Sequence, residues 1–286
     1  GLKDESQGIW RLHHNKFLIV QPKGENWDIN FSSGNLSAFG TSLHFDHWVS
    51  LNVSPESQLA RSHTCVIESL LKAQGKGSDG RDNPELYISS VRECRKKQGL
   101  LSQEEAITAE GVYLLTSPND QDEVYRAFKS EVKKIMSSAQ SNPSQYYIRG
   151  GIQHFLHSGI ASDLKAACGI GINVQLLMDD DVVTGESEVQ GVGDFFESYV
   201  KDSCIQTKFM ETNASTKQMM HHKFLTFMGP NYPSRTYSGA GHFTYAALQD
   251  NYENFYITNN SDLANSYLGL FNDMWANSMT YEQAKK

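Results

Sequence analysis

The sequence predicts an α/β protein built from two related layered halves, the first of them short of its opening layers. Two observations carry that fold class. Residues after about position 108 alternate strand and helix signals, the pattern of a layered α/β domain. The sequence also matches itself without gaps at an offset of 207 residues, across two clusters of strand candidates. The asymmetry comes from a third. Thirteen residues precede the first copy's key histidine, His14, whereas a full set of strand and helix candidates precedes its counterpart His221.

In chain order, strand candidates at residues 10–20, 29–33 and 47–53 lead into a helix at 56–73, whose apolar positions recur at helical spacing. Residues 75–83, rich in Gly, Ser, Asp and Lys, read as a flexible surface loop or linker. The boundary between the halves is placed near residue 108, giving units of 1–108 and 109–286. In the second unit a strand at 112–116 precedes a helix at 120–139, where Val124, Phe128, Val132, Ile135 and Met136 share one face. A strand at 146–149, a helix at 158–168, a strand at 172–178, a helix at 194–200 and a strand at 205–210 follow. Three close strand candidates at 219–228, 235–239 and 254–258 then precede a helix at 261–275, repeating the opening of the chain.

Composition narrows the function. With 286 residues, 39% of them hydrophobic, the chain can bury one large core or two ordinary ones. No apolar run is long enough to cross a bilayer as a helix. A net charge of -8 argues against a general basic surface for holding polyanions, so any anion site must be local. Cys65, Cys94, Cys168 and Cys204 have no C-x-x-C spacing; they permit two disulfides without demanding them. Sequons at Asn30, Asn35, Asn52, Asn213 and Asn259 suit a secreted or periplasmic protein, although sequons are common by chance.

The repeat carries the chemistry. At the 207-residue offset His14 falls on His221, Lys16 on Lys223, Phe17 on Phe224, Leu18 on Leu225, Gly34 on Gly241, Ser37 on Thr244 and Asp46 on Glu253. A structural repeat needs matching apolar positions but has no reason to repeat a histidine, a lysine and an acid. If His14 and Lys16 lie on a strand, both project to one face, as do His221 and Lys223. Two halves related by a pseudo-twofold axis would bring both pairs to one interface, a cationic pocket fitted to a phosphodiester.

The segments His14-Asn15-Lys16 with Ser32-Ser33-Gly34-Asn35, and His221-His222-Lys223 with Gly239-Ala240-Gly241-His242, resemble the two motifs of the phospholipase D superfamily. That family reads H-x-K, an aspartate five residues after the lysine, then G-S-x-N. Here Gln21 and Met228 hold the aspartate positions, an H-x-K pattern similar to that of tyrosyl-DNA phosphodiesterases. The resemblance implies a phosphodiester hydrolase or transferase that needs no metal and no cofactor. One histidine attacks phosphorus, the other protonates the leaving oxygen, and a phosphohistidine is then resolved by water or an alcohol. By the same resemblance His14 is the nucleophile and His221 the general acid. Lys16, Lys223 and Asn35, with Ser33 and His242, would hold the phosphate oxygens, and Asp46 and Glu253 would orient the histidines.

Bland readings compete at several positions. His13 and His222 are expected on the opposite strand face, packed or solvated. Asp179, Asp180 and Asp181 are expected to form a solvated turn or helix cap rather than a metal site. Trp48 and Phe255 are expected in the core. The substrate is a phospholipid or a nucleic acid. A nuclease would use the basic runs at 95–97 and 129–134, and a non-catalytic binding module is the remaining alternative. A sheet without its opening strands exposes edges, so a cleaved N-terminal segment or a partner chain is expected to complete the first half.

Overall fold

The computed structural model describes residues 2–4, 9–11, 13–37, 44–78, 80–120, 122–185, 187, 189–212 and 218–286. The sequon at Asn213 lies outside them, as does residue 12 of the first strand candidate.

The chain opens with β1 (Leu2–Asp4) and β2 (Ile9–Arg11), then β3 (Phe17–Val20), β4 (Trp27–Ser32) and β5 (Trp48–Val53). Three helices follow: α1 (Gln58–Ala73), α2 (Pro84–Lys97) and α3 (Gln103–Glu110). The second half runs β6 (Val112–Ser117), α4 (Glu123–Ser138), β7 (Tyr147–Ile152), β8 (Phe155–Leu156), α5 (Ser158–Gly169), β9 (Asn173–Asp179), α6 (Asp181–Thr184), α7 (Val192–Tyr199) and β10 (Gln206–Met210). It closes with β11 (Lys223–Gly229), β12 (Tyr232–Gly239), β13 (Phe243–Thr244), β14 (Glu253–Thr258), α8 (Ser261–Ala276) and α9 (Tyr281–Ala284).

Seven strands form one sheet in the order β10-β9-β7-β11-β12-β14-β6, parallel among β10, β9 and β7 and antiparallel elsewhere. Its strands alternate between two apolar faces, as side-chain period two requires. Leu225 and Phe227 of β11, with Phe255 and Ile257 of β14, meet Phe128, Val132 and Ile135 of α4 and Leu164 of α5. Phe224, Tyr256 and Leu114 point the other way, onto Tyr267 and Phe271 of α8 and onto the first half's Ile29, Phe31 and Val49. Phe31 stacks on Tyr256 with ring centroids 3.6 Å apart. Fully burying such a phenyl ring stabilises by about 1.5–3 kcal/mol, so the halves share one core rather than folding side by side.

The first half has a sheet of three strands, β3-β4-β5, in the arrangement of β11-β12-β14. Among the described residues β3 has no second neighbour, whereas its counterpart β11 pairs with β7. Leu18 and Val20 of that edge are exposed.

The described residues of 75–83 form the expected surface loop, in which Asp82 accepts from the Gly75 amide at 3.1 Å and pairs with His13 Nε2 at 2.5 Å. The segment after it departs from expectation. Residues 84–110 form two helices, each with a side chain that satisfies its first free amides. Asn83 accepts from Leu86 N, and Ser102 with Glu105 makes a capping box. The boundary near residue 108 thus falls inside α3, whose Ile107 is buried in the large core. Both cysteine pairs are joined, Cys65 to Cys94 and Cys168 to Cys204. The first ties α1 to α2, giving those helices a covalent anchor. Among the described residues no helix is long and apolar enough to cross a membrane.

Candidate active site

The two histidines of the repeat stand just ahead of their strands rather than on them. β3 begins at Phe17 and β11 at Lys223. The reason is that the backbone of the opposite half claims these segments. His14 N donates to Tyr252 O at 2.9 Å, and His221 N donates to Phe45 O at 3.0 Å. Bridges between His13 and Tyr252 and between Phe45 and Met220 flank those bonds. Each contact maps onto the other under the 207-residue shift.

The carboxylates cross over in the same way. Glu253, fully buried, lies 2.7 Å from His14 Nδ1, and Asp46 lies 2.8 Å from His221 Nδ1. The acid expected to orient a histidine therefore comes from the other half. With Nδ1–H donated to a carboxylate, each ring directs Nε2 away from its acid, and that nitrogen is left for chemistry. Ser33 Oγ donates to Asp46 Oδ1 at 2.8 Å and accepts the His47 amide at 3.1 Å, so this hydroxyl holds the acid. Asn251 Nδ2 donates to Glu253 Oε1 at 3.3 Å. Gly34 is required where it is: a Cβ there would lie 2.7 Å from Asp46 Oδ2.

Both lysines are buried and held alike. Lys16 Nζ donates to His14 O at 3.1 Å and Lys223 Nζ to His221 O at 2.8 Å. The Lys16 amide is fixed by Asn254 Oδ1 at 2.7 Å. Burial pushes Lys16 down to about 8 against the help of Glu253 and Asp46, and it takes Lys223 well below the usual lysine range, with Lys16 adding to the fall. His14 is lowered by burial, which Glu253 partly offsets; His221 is lowered further by burial and then by the Lys223 and Lys16 ammoniums. Asp46 is raised by burial, opposed by Ser33 and Lys223. A pocket that penalises its own cations in this way gains most when an anion enters and restores their charge.

His242 joins the half-sites. Its ring centroid is 5.4 Å from that of His14 and 5.9 Å from that of His221, and it stacks on His154 at 4.4 Å. Burial holds both His242 and His154 in the neutral form, His154 at about 3. Asn35 is exposed at the mouth, in a cleft with Lys16, Gly34, Leu36 and Trp48. His14 also lines a second cavity of about 430 Å³, together with His154, Leu156, Val189, Thr244 and Tyr245.

Two readings need correction. Trp48 is 46% exposed, on the face of β5 that Ser50 and Asn52 also leave exposed; Phe255 is buried as expected. Asp179 and Asp180 are buried, so the turn is not solvated, while the helix-cap half of the expectation holds: Asp180 is the N-cap of α6. Asp179 accepts from the Met220 amide at 2.6 Å, from Asp181 N at 3.1 Å and from Thr212 Oγ1 at 3.0 Å. Its carboxyl thereby fixes the residue before His221, and burial raises it to about 7. Sequence reasoning missed this residue because an acidic triplet after a strand carries no mark of burial. His222 is buried against His47, rings 5.6 Å apart, and His13 is exposed, stacked on Tyr252 at 4.2 Å.

Solved structures share this fold at low identity. Phosphatidylserine synthase from Haemophilus influenzae Rd KW20 superposes with a TM-score of 0.58 at 11% identity, covering 96% of this chain and 64% of that one. Polyphosphate kinase from Porphyromonas gingivalis gives 0.58 at 12% identity, over 94% of this chain and 36% of the kinase. Yeast tyrosyl-DNA phosphodiesterase gives 0.50 at 11% identity, over 86% and 67% of the two chains. No curated protein matches the sequence. The family model described as "Cardiolipin synthase, PLD-like domain" matches residues 132–275, just over half of the chain, and includes the second His-Lys pair, His242 and Glu253. The chain belongs to the phospholipase D-like family.

Proposed function

We propose that this chain is a phosphodiesterase in which His14 attacks phosphorus, His221 protonates the leaving oxygen, and a phosphohistidine is then hydrolysed or transferred to an alcohol. The observation that carries the reading is the crossed arrangement: two imidazoles, each oriented by a buried acid from the opposite half, beside two buried lysines. The two halves, with their boundary near residue 108, are related in this reading by a pseudo-twofold axis through the site. Lys16 and Lys223 supply the positive charge that stabilises the phosphorane-like transition state, with Asn35 and His242 at its rim. No metal is required for that charge.

The substrate is a phosphodiester with an apolar or aromatic flank, a phospholipid or a nucleic acid. Exposed Trp48, Leu36 and Leu18 support this, since they offer a surface for acyl chains or a base beside the cationic pocket. The two disulfides are compatible with a secreted or periplasmic location. A cleaved N-terminal segment or a partner chain completing the β3 edge belongs to the same proposal, supported by its exposed Leu18 and Val20. Denaturing intact-mass analysis of the purified material tests it.

Hydrolysis of bis(p-nitrophenyl) phosphate in excess EDTA tests the mechanism. Full activity is expected, and loss of activity restored by zinc or magnesium would sink it. Parallel assays on phosphatidylcholine vesicles and on single-stranded and duplex DNA assign the substrate: choline release alone marks a phospholipase, DNA cleavage alone a nuclease. Turnover of none of these, together with their binding, marks a binding module.

A further inference from the structure

We infer that His44, Asp46 and His221 form a binding site for a divalent transition-metal ion, zinc by donor type, and that an ion held there shuts off the histidine it shares with the catalytic pocket. One ligand atom from each residue lies within 4.8 Å of the other two. His44 Nδ1 faces Asp46 Oδ2 at 3.9 Å, too far for a hydrogen bond. Both atoms are buried, and among the described residues neither has a hydrogen-bond partner. Buried polar atoms of this kind are paired in most proteins, so two left open toward each other call for an occupant. Ligand atoms around a tetrahedral zinc stand roughly 3.4 Å apart, a separation these two reach with a small movement.

The repeat sharpens the point. At the 207-residue offset His44 corresponds to Asn251, which closes the free oxygen of Glu253 with its amide at 3.3 Å. The first half has an imidazole in that place and leaves the oxygen of Asp46 open. Two imidazoles and one carboxylate suit zinc, whereas magnesium and calcium prefer oxygen throughout. Ser33 Oγ on Asp46 Oδ1 steadies the carboxylate.

The consequence for chemistry follows from His221. Its Nδ1 now donates to Asp46 at 2.8 Å. Coordination replaces that proton, which leaves to solvent, and fixes the remaining ring proton on Nε2. The imidazole can then no longer cycle between acid and base, so bound zinc inhibits.

Cobalt(II) provides a direct probe, because a site of this geometry gives d–d absorption whether or not the protein turns over a substrate. One equivalent is expected to bind the intact protein. His44→Ala and the closer-shaped His44→Gln should lower cobalt affinity at least about tenfold, the scale at which even outer-shell losses act on metal sites. Their hydrolysis of bis(p-nitrophenyl) phosphate without metal should match wild type, while the zinc concentration for half-inhibition rises at least about tenfold. His13→Ala, at an exposed histidine outside the cluster, should keep the wild-type metal response. Unchanged cobalt binding in both folded His44 variants would overturn the site. Cobalt binding lost in them, with zinc inhibition unchanged, would overturn the link to activity. Failure of the phosphodiesterase reading alone would leave the cobalt result intact.

Discussion

Replacing Glu253 by glutamine keeps the shape of a fully buried side chain and removes its charge, which the structure places 2.7 Å from His14 Nδ1. A hydrogen bond to a charged group contributes about 1.5–3 kcal/mol, so kcat/KM should fall roughly 10- to 150-fold. The same carboxylate raises both His14 and Lys16, so its loss lets burial take both further down. Lys16 begins at about 8, which makes the defect depend on pH. Lowering the pH favours the ammonium form of Lys16 with or without Glu253, so toward about pH 6 the loss should shift onto kcat. At about pH 8 the variant's Lys16 is largely neutral, so KM for an anionic substrate should rise as well. Steady-state kinetics on bis(p-nitrophenyl) phosphate at the two pH values, with circular dichroism to establish folding, reads both effects. A loss below about threefold at the lower pH would refute the orienting role of Glu253, and the same KM at both pH values would refute its support of Lys16.

The histidines should fail differently: His14→Ala abolishes turnover of every ester, whereas His221→Ala retains part of its activity on a p-nitrophenyl ester and none on an alkyl ester. Mass spectrometry of the His221 variant should find the phosphohistidine on His14, and an adduct on His221 in the His14 variant would reverse the assignment. Removing the bond between Cys65 and Cys94, 29 residues apart, should lower stability by up to about 3–4 kcal/mol on loop-closure entropy, seen as a lower urea midpoint. Asp179 is raised in the folded state to about 7, so the folded protein binds more protons than the unfolded chain across the range above the ordinary carboxylate value. The stability tied to that proton is complete in acid and lost as pH rises through about 7. Asp179→Asn should therefore flatten the fall in stability over that range and slow turnover through a displaced His221; an unchanged pH profile of Tm would refute the assignment.

What the sequence revealed and what it hid divide along physical lines. Alternation, short apolar runs and helical spacing placed β6, β9, β12, β14, α1 and α8 to within a few residues, because the strands are short apolar segments buried on both faces and the helices bury one face at helical spacing. The repeat paired His14 with His221 and Asp46 with Glu253, but pairing by offset cannot say which acid serves which histidine. That depends on the backbone bonds that cross between halves, from His14 N to Tyr252 O and from His221 N to Phe45 O. The α2 and α3 helices were missed because their faces are narrow, and their placement rests on caps at Asn83 and Ser102 and on one disulfide. Trp48 was assigned to the core from its side-chain type alone, and exposure cannot be read from type. His44 had a visible signal, its alignment with Asn251, but a histidine opposite an asparagine breaks the repeat and so drew no notice.

The crossed acids also decide what a half could do by itself. Cut at the boundary, the first half would keep His14 and Lys16 but lose Glu253, the Tyr252 carbonyl and Asn254, which together hold the ring and the Lys16 amide. The second half would keep His221 and Lys223 but lose Asp46 and the Phe45 carbonyl. Each would also expose a face of the shared core, Phe31 on one side and Tyr256 on the other. A buried acid without its histidine, or a buried lysine without its acids, costs more than the pair contributes when intact. Stability and site geometry therefore rest on the same contacts, so a substitution that loosens the seam between halves should impair both histidines together.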